Sequence, residues 1–525
     1  MDKRPRLAAP PRGQRGQALV FVSVTMIVVL LAMLVMYSVG QLTTQRMKLQ
    51  NTADAVAYSV SLTQARDLNF SAYMNRAMVA NQVAVAQIVS MTGWARNFDD
   101  TYNGSFSSIA RTLANFSTLS ALWTVPADIY QSIGSGLKNV FDSVGPIMVK
   151  VLDVIIDALH FSSLGYHYGM AVTIPQTIDG VLKANDPNAS LSTLGYVGAG
   201  VGVVQHLLFA KSYDPTTNKD GDRRFANVTD ASSDLFYKNR TLPLTFWPTP
   251  MLIDPIRLFT PGVGPLVMFN FHSGGSVLRT DSGKELKAWG SADASGTFVI
   301  FCITISILGI PIPIPFPLPP LPAGSGGAAA GDYNSSSVLM TGSTLGHRNA
   351  ENTDVDSAAA VDFGGAYLNP YTAIPYFIQV GKGPGTNMDS RAGLRSYLDI
   401  KGNATNSTSN QANNDASNNN QNVEAPAFFI EVERASNSVA TTSSPTFRIG
   451  GGGGGQLDLE DSAVGGKLKA MAKGEAYFSR PTDLFARGDG KTEYGSLYSP
   501  YWQAHLAPNS LLEQAASMLG ANVLP

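Results

Sequence analysis

Catalysis and metal binding need particular side chains at particular spacings, and three stretches of this chain come near such a pattern. Asp293-Ala-Ser295-Gly-Thr297 has the order of a cation-binding acid-and-hydroxyl loop. Such a loop needs a buried strand before it and a helix after it, whereas here the apolar run Thr297 to Gly309 follows. Gly490-Lys491-Thr492 ends like a phosphate-binding loop, but the first glycine of that loop would fall at Phe485. Asn218-Lys-Asp220-Gly-Asp222 alternates like a calcium loop, with Thr216 in the place of the first acidic ligand and Asn227 at the twelfth position, so it reads as a hydrated turn. The six histidines (His160, His167, His206, His272, His347 and His505) form no H-x-x-x-H or H-E-x-x-H pair, and each is expected to be packed or at the surface. Cys302, the only cysteine, sits in an apolar strand without a basic neighbour and is expected to act as a small hydrophobe. No G-x-S-x-G is present. The expectation is a protein that is not an enzyme and has no catalytic residue, metal ligand or cofactor.

The strongest pattern lies at the start. Ala18 to Val39 contains only Ser23, Thr25, Tyr37 and Ser38 as polar members, and no charge occurs between Arg15 and Arg46. At 1.5 Å per residue, such a run covers about 33 Å as a helix, enough to cross a hydrocarbon core of about 30 Å. It is longer than the apolar core of a cleaved signal peptide, and Tyr37 and Gln41 stand where a small-residue cleavage box would be. Ala18, Val28 and Val39 therefore mark an anchor in membrane lipid. Lys3, Arg4, Arg6, Arg12 and Arg15 against Asp2 place the N-terminus in the cytoplasm and the bulk of the chain outside.

Composition agrees with an extracytoplasmic, loop-rich protein. Only 14% of residues are charged, against 50 glycines and 30 prolines. The net charge of −2 argues against nucleic acid as a partner, and one cysteine excludes an internal disulfide.

After the membrane run, Leu49, Ala53, Val56 and Val60 recur at helical spacing, and no glycine or proline occurs from Gln41 to Thr92. One helix is predicted to leave the lipid and continue as a stalk. Farther along it, "AYMNRAMVANQVAVAQIV" (Ala72 to Val89) mixes small apolar residues with Asn75, Asn81, Gln82 and Gln87. These residues either pack inside this chain or form a helix-to-helix assembly face, including self-association through the N-terminal helix.

"RGQALVF" entering this run and "QRMKLQNTADAVAYSVSL" after it resemble the N-terminal module of the Flp/Tad pilus-assembly proteins of the TadE/TadG-like group. "KGEAYFSRP" (Lys473 to Pro481) and "GSLYSPYWQAHLAP" (Gly495 to Pro508) are similar to a C-terminal signature of large TadG-related proteins. The resemblance implies a bacterial inner-membrane component whose partners are pilins or other pilus-assembly subunits. Were the chain processed like a type IV prepilin, the cut would follow Gly16, and Phe21 would stand where those substrates carry Glu.

The remaining chain divides by pattern. Residues 1–16 form a basic tail, 17–40 the transmembrane helix, 41–96 the stalk, 97–213 a region of several helices, and 214–525 a β-rich head. Short β-branched or aromatic runs (Thr297 to Gly309, Ala366 to Val380, Ala427 to Ser436, Ala470 to Arg480) read as strands. Pro311 to Pro322 is expected to continue the first of them as polyproline II. Loops are expected at 322–337, 401–426 and 450–455. The fold class is α+β. The function expected is a membrane-anchored, non-enzymatic component of a Tad-type pilus or secretion apparatus; the alternative is a minor pilin or surface adhesin within the filament.

Overall fold

The computed structural model describes residues 17–213, 222–238, 240, 251–279, 288–318, 321–331, 388–400, 426–435, 467–481, 484, 495–515 and 517. The expected strand at 366–380 and the loop at 450–455 lie outside these residues, as does nearly all of the loop at 401–426.

The α+β architecture is built around one element. Helix α1 runs unbroken from Gln17–Asp100, 84 residues or about 126 Å. It ends in a π-turn, Thr101–Ser105, where Gly104 leaves the helical conformation. After α2 (Phe106–Ala114) the chain reverses into α3 (Ser120–Asn185), which runs back beside α1. The several helices expected for this region are present as α2, α3 and a later helix at Thr193–Phe209, but the prolines do not punctuate them: α3 continues through Pro126, Pro146 and Pro175. Each proline removes a backbone donor and bends the helix, but none of the three is buried and the opposite face stays packed on α1 along its length.

Three sheets lie along this helical hairpin. In the first, β1 (Ser190–Leu191), β9 (Ala427–Ala435), β10 (Lys467–Phe478) and β11 (Trp502–Ala507) are antiparallel neighbours. In the second, β2 (Ala210–Tyr213) pairs with β8 (Tyr397–Ile400). The third joins β3 (Leu252–Ile253), β4 (Gly262–Arg279), β5 (Ala288–Ile307) and β6 (Ile310–Pro317), with β7 (Leu321–Gly331) also on β5. Helix α4 (Thr193–Phe209) covers β9, and the short helices α5 (Asp222–Ala231) and α6 (Leu235–Lys238) fill between α1 and the third sheet.

Two expectations are corrected in this third sheet. The first ten residues of the expected loop 322–337 belong to β7, and residues 332–337 lie outside the described part. Glycine and alanine made this stretch look like a linker, yet the same small residues let a strand backbone rest on a helix backbone. A Cβ added at Gly326 would run into the backbone of Asn97 and Gly93, and one at Gly324 into that of Thr101. The second correction concerns Pro311 to Pro317, which is an edge strand rather than polyproline II. A two-residue turn, Leu308-Gly309 with both φ positive, makes Ile307↔Ile310 the hydrogen-bonded pair next to the turn. Pro311, Pro313, Pro315 and Pro317 then fall at the alternate positions, where their missing N–H groups face the open edge and blunt it against further strand addition.

The close approach of β7 to α1 yields a test. Gly326→Val should lower the unfolding free energy by more than about 3 kcal/mol, because backbone rather than a movable side chain blocks the new Cβ. Gly136→Val, at a helical glycine with open space around it, should leave stability within about 0.5 kcal/mol of the parent, because valine is no worse a helix former than glycine. Thermal unfolding of the two variants beside the parent chain measures the difference.

Candidate membrane anchor and assembly rod

Along α1 the surroundings change abruptly. From Leu19 to Val39 nearly every large side chain is exposed, and this end of the helix contains an 18-residue window of mean hydropathy 3.0 with none of it buried. Val28 and Val39 are both exposed apolar positions here, as is Ala18 at the start. Two of the hydroxyls inside the run, those deepest in it, are satisfied within the helix itself: Ser23 Oγ donates to the Leu19 carbonyl at 2.7 Å and Thr25 Oγ1 to that of Phe21 at 2.8 Å. Lipid offers no hydrogen-bond partner, so self-satisfaction of this kind is what a spanning helix requires. Gly16 lies outside the described residues.

The sheath begins near Leu49. Leu49, Ala53, Val56 and Val60 are all completely buried, in a core shared with Met170, Ile174 and Ile178 of α3, Phe428 and Ile430 of β9, and Leu468 of β10. The face that they form therefore packs against this chain's own helix and strands. Asp186, just past the end of α3, receives Arg434 at 2.9 Å and Lys48 at 3.5 Å, so charges gather where the bare helix gives way to the covered one.

The polar residues of the upper stalk also turn inward. Asn75 Nδ2 donates to the carbonyls of Leu398 (2.7 Å) and Leu497 (2.8 Å), and Gln82 accepts from Trp289 Nε1 at 2.9 Å while donating to the Gly393 carbonyl at 3.0 Å. Asn69 exchanges two bonds with the backbone of Trp502, acting like an extra strand residue at the end of β11. Gln87 reaches Asp234, and Asn81 bonds back to Ala77. In effect, these amides dock strand ends and loops onto the helix. The C-terminal stretches "KGEAYFSRP" and "GSLYSPYWQAHLAP" come to rest on α1 here: a Cβ at Gly474 would strike the Ala57 backbone, and Trp502 packs beside Leu68.

Two buried charge clusters rivet the layers. Asp67 of α1 accepts from His167 Nδ1 of α3 at 2.6 Å and from His206 Nε2 of α4 at 2.8 Å, with all three side chains fully buried. His167 Nε2 faces the Leu207 carbonyl at 3.3 Å. Burial works to raise the Asp67 pKa, yet the bonds from His167 and His206 prevail and hold it below the usual value. Burial likewise pushes His167 down, but its bond to Asp67 outweighs that and raises it. The arrangement is that of a carboxylate sharing protons with two imidazoles. These three groups could also supply ligands to a transition metal. Histidine pairs within one sequence window gave no hint of this cluster, whose members are 100 and 139 residues apart. A signal was available, however, in the seven-residue spacing of Asp153, His160 and His167 along α3, which sets a polar column on the side facing α1.

In the second cluster, Asp293 receives both Nε and Nη2 of Arg240 at 2.8 and 2.9 Å and lies 3.0 Å from His272 Nε2. Burial acts to raise the Asp293 pKa; the Arg240 charge and the His272 bond overcome it and lower it. Ser295 donates to Asn97 at 2.7 Å and Thr297 to Asn270 at 2.7 Å. Asp293, Ser295 and Thr297 thus sit on strand β5, tied to α1, to β4 and to Arg240 just after α6 rather than arranged as a cation loop. Cys302 is buried beside Thr304 on the same strand. Residues 490–492 and 218–221 lie outside the described residues.

The first cluster sets a pH dependence. Stability from the raised His167 pKa is complete below its unfolded value of about 6.5 and lost as pH rises through the folded value above it. Stability from the lowered Asp67 pKa is present above about 3.9 and lost as pH falls through the folded value below that. Asp67→Asn should cost about 3–5 kcal/mol, because it leaves His167 buried without its anion, and should flatten the alkaline limb of a thermal-midpoint profile. An unchanged profile would show that the pair carries no stability.

Residues 16–67 match a family model described as putative Flp pilus-assembly TadE/G-like. No curated protein and no solved structure matches the chain. The matched segment covers the bare helix and the first part of its sheath, ending at Asp67, and is similar to the TadE/G-like family over those residues.

Proposed function

We propose that this protein is a non-enzymatic, membrane-anchored component of a bacterial Flp/Tad pilus-assembly or secretion apparatus, with its N-terminus in the cytoplasm and the folded bulk outside. The observation that carries the reading is the continuity of α1: one helix is bare and apolar for its first two dozen residues and then clothed by its own chain up to Asp100. A helix of this kind transmits position, since whatever is packed around residues 49–100 is held at a fixed distance from the lipid. Pilins or other anchored subunits have lateral access to Leu19 to Val39 only at membrane depth. The outer face at Leu49, Ala53, Val56 and Val60 is occupied, so self-association through the N-terminal helix would be confined to its lipid half.

The minor-pilin alternative differs from this reading in one processing event. Intact mass of the membrane-extracted protein should show residues before Gly16 retained; chains beginning at Gln17 would instead favour extraction into a filament.

Val28→Arg places a charge near the bilayer centre, at a cost of about 2.5–3.5 kcal/mol on insertion scales. The variant should shift from the carbonate-resistant membrane fraction to the soluble one and lose co-purifying pilus subunits. If it remained in membranes with the same partners, the anchor would lie elsewhere.

A further inference from the structure

Helix α3 is apolar on the side turned away from α1 as well as on its buried side, where Val149, Ile156, Met170 and Ile174 lie. Its face toward α1 includes Asp153, His160, Ser163 and His167, all buried. The opposite face, between Pro146 and Pro175, carries Ile147, Val154, Phe161 and Tyr168 seven residues apart, and Val151, Ala158, Gly165 and Val172 four residues after each. This is a strict 4-3 alternation over four heptads, the pattern of a coiled-coil seam. The same phase continues upstream at Ile133, Leu137, Val140 and Val144. The large side chains of the seam from Ile147 onward are between 52% and 67% exposed, and none of the described residues covers it. Soluble helices turn their polar side to water, and a contiguous apolar stripe of this length marks an interaction surface.

Lipid does not explain it. α3 runs antiparallel to α1, with Leu182 beside Leu49, His167 beside Asp67 and Asp142 beside Arg96, so the seam stands level with α1 residues well beyond the apolar run that ends at Val39.

We propose that this face of α3 is a homotypic seam, in which two copies anchored side by side pair their α3 helices in parallel and in register. Three features select a second copy as the occupant. No seam position is charged, and of the flanking positions only Lys150 and Asp157 carry charge, so identical faces meet without like-charge repulsion along the stripe. The bulky Phe161 lies between Ala158 and Gly165, and Gly165 also separates it from Tyr168, so the aromatic layers are spaced by small ones as two identical faces need in order to interdigitate. Anchorage in one membrane, which rests on the function proposed above, fixes both copies in the same orientation and raises their effective concentration. A standard interface covers about 800 Å² on each partner, which twelve such positions over 40 residues can supply.

The test uses the full chain in its own membrane. Val154→Cys should form a copy-to-copy cross-link with a short bis-maleimide, whereas Asn139→Cys, off the seam, should not; the native Cys302 is buried. Val151→Glu with Val154→Glu, both at exposed positions, should leave the thermal midpoint unchanged and convert detergent-solubilised dimers to monomers, weakening association at least tenfold by light scattering. Monomeric wild-type protein, cross-linking equal at the two cysteines, or a dimer indifferent to the glutamates would each overturn the seam. The last result would assign pairing to another surface, such as the lipid half of α1. Membrane retention of the glutamate variant separates this outcome from failure of the anchor, which would move even the wild-type chain to the soluble fraction.

Discussion

Everything beyond the apolar run depends on the close contact between α1 and the elements laid against it. A helix of 84 residues cannot stand in water on its own propensity, because helical stability in proteins comes mostly from packing one face. Here the packing is achieved at backbone range. Glycines of β7 and β10 let strands lie on the helix, α3 supplies a second helix along most of its length, and α1's own amides accept or donate where strand ends would otherwise be left unpaired. Leu49 and Leu68 are as buried as any core residue, although they belong to a helix that starts as a bare apolar run.

The buried charges fit the same logic. With one cysteine there is no disulfide to staple the layers, and the cross-links are instead Asp67 with two histidines, Asp293 with Arg240, and Asp186 with Arg434. Each joins α1, or a strand lying on it, to an element distant in sequence. Such pairs are costly to desolvate and cost more to break than to omit, so their contribution is to fix which surfaces meet.

How much of this was legible depended on whether a local pattern or a tertiary contact decided the element. The membrane run and the spacing Leu49, Ala53, Val56, Val60 are periodic, and they specify a continuous helix. The strand β10 alternates in burial as its sequence alternates in character, and β9 does so except at Glu431, which is buried between Ile430 and Val432. β7 and β6 were not legible, because glycine, alanine and proline carry little intrinsic strand preference; β7 is a strand because it touches α1 and β5, and β6 because it folds back on β5. The prolines of α3 likewise predict breaks that packing overrides. The Asp67 cluster is the hardest case, since its three members come from three helices and only the seven-residue polar column on α3 hints at it. The family resemblance covered the two ends of the chain; it gave no information on how they meet.

α1 is one helix, bare over its apolar run and then covered by its own chain. Maleimide labelling of single cysteines on the detergent-purified full chain, free of other subunits, tests this most directly. Cysteine at Met47 or Tyr73, both exposed, should react at once with a water-soluble reagent, whereas cysteine at Leu49 or Val56 should react only after denaturation. Rapid labelling at Leu49 and Val56 in the folded, subunit-free chain would contradict the account, because the face would then be open and awaiting a partner.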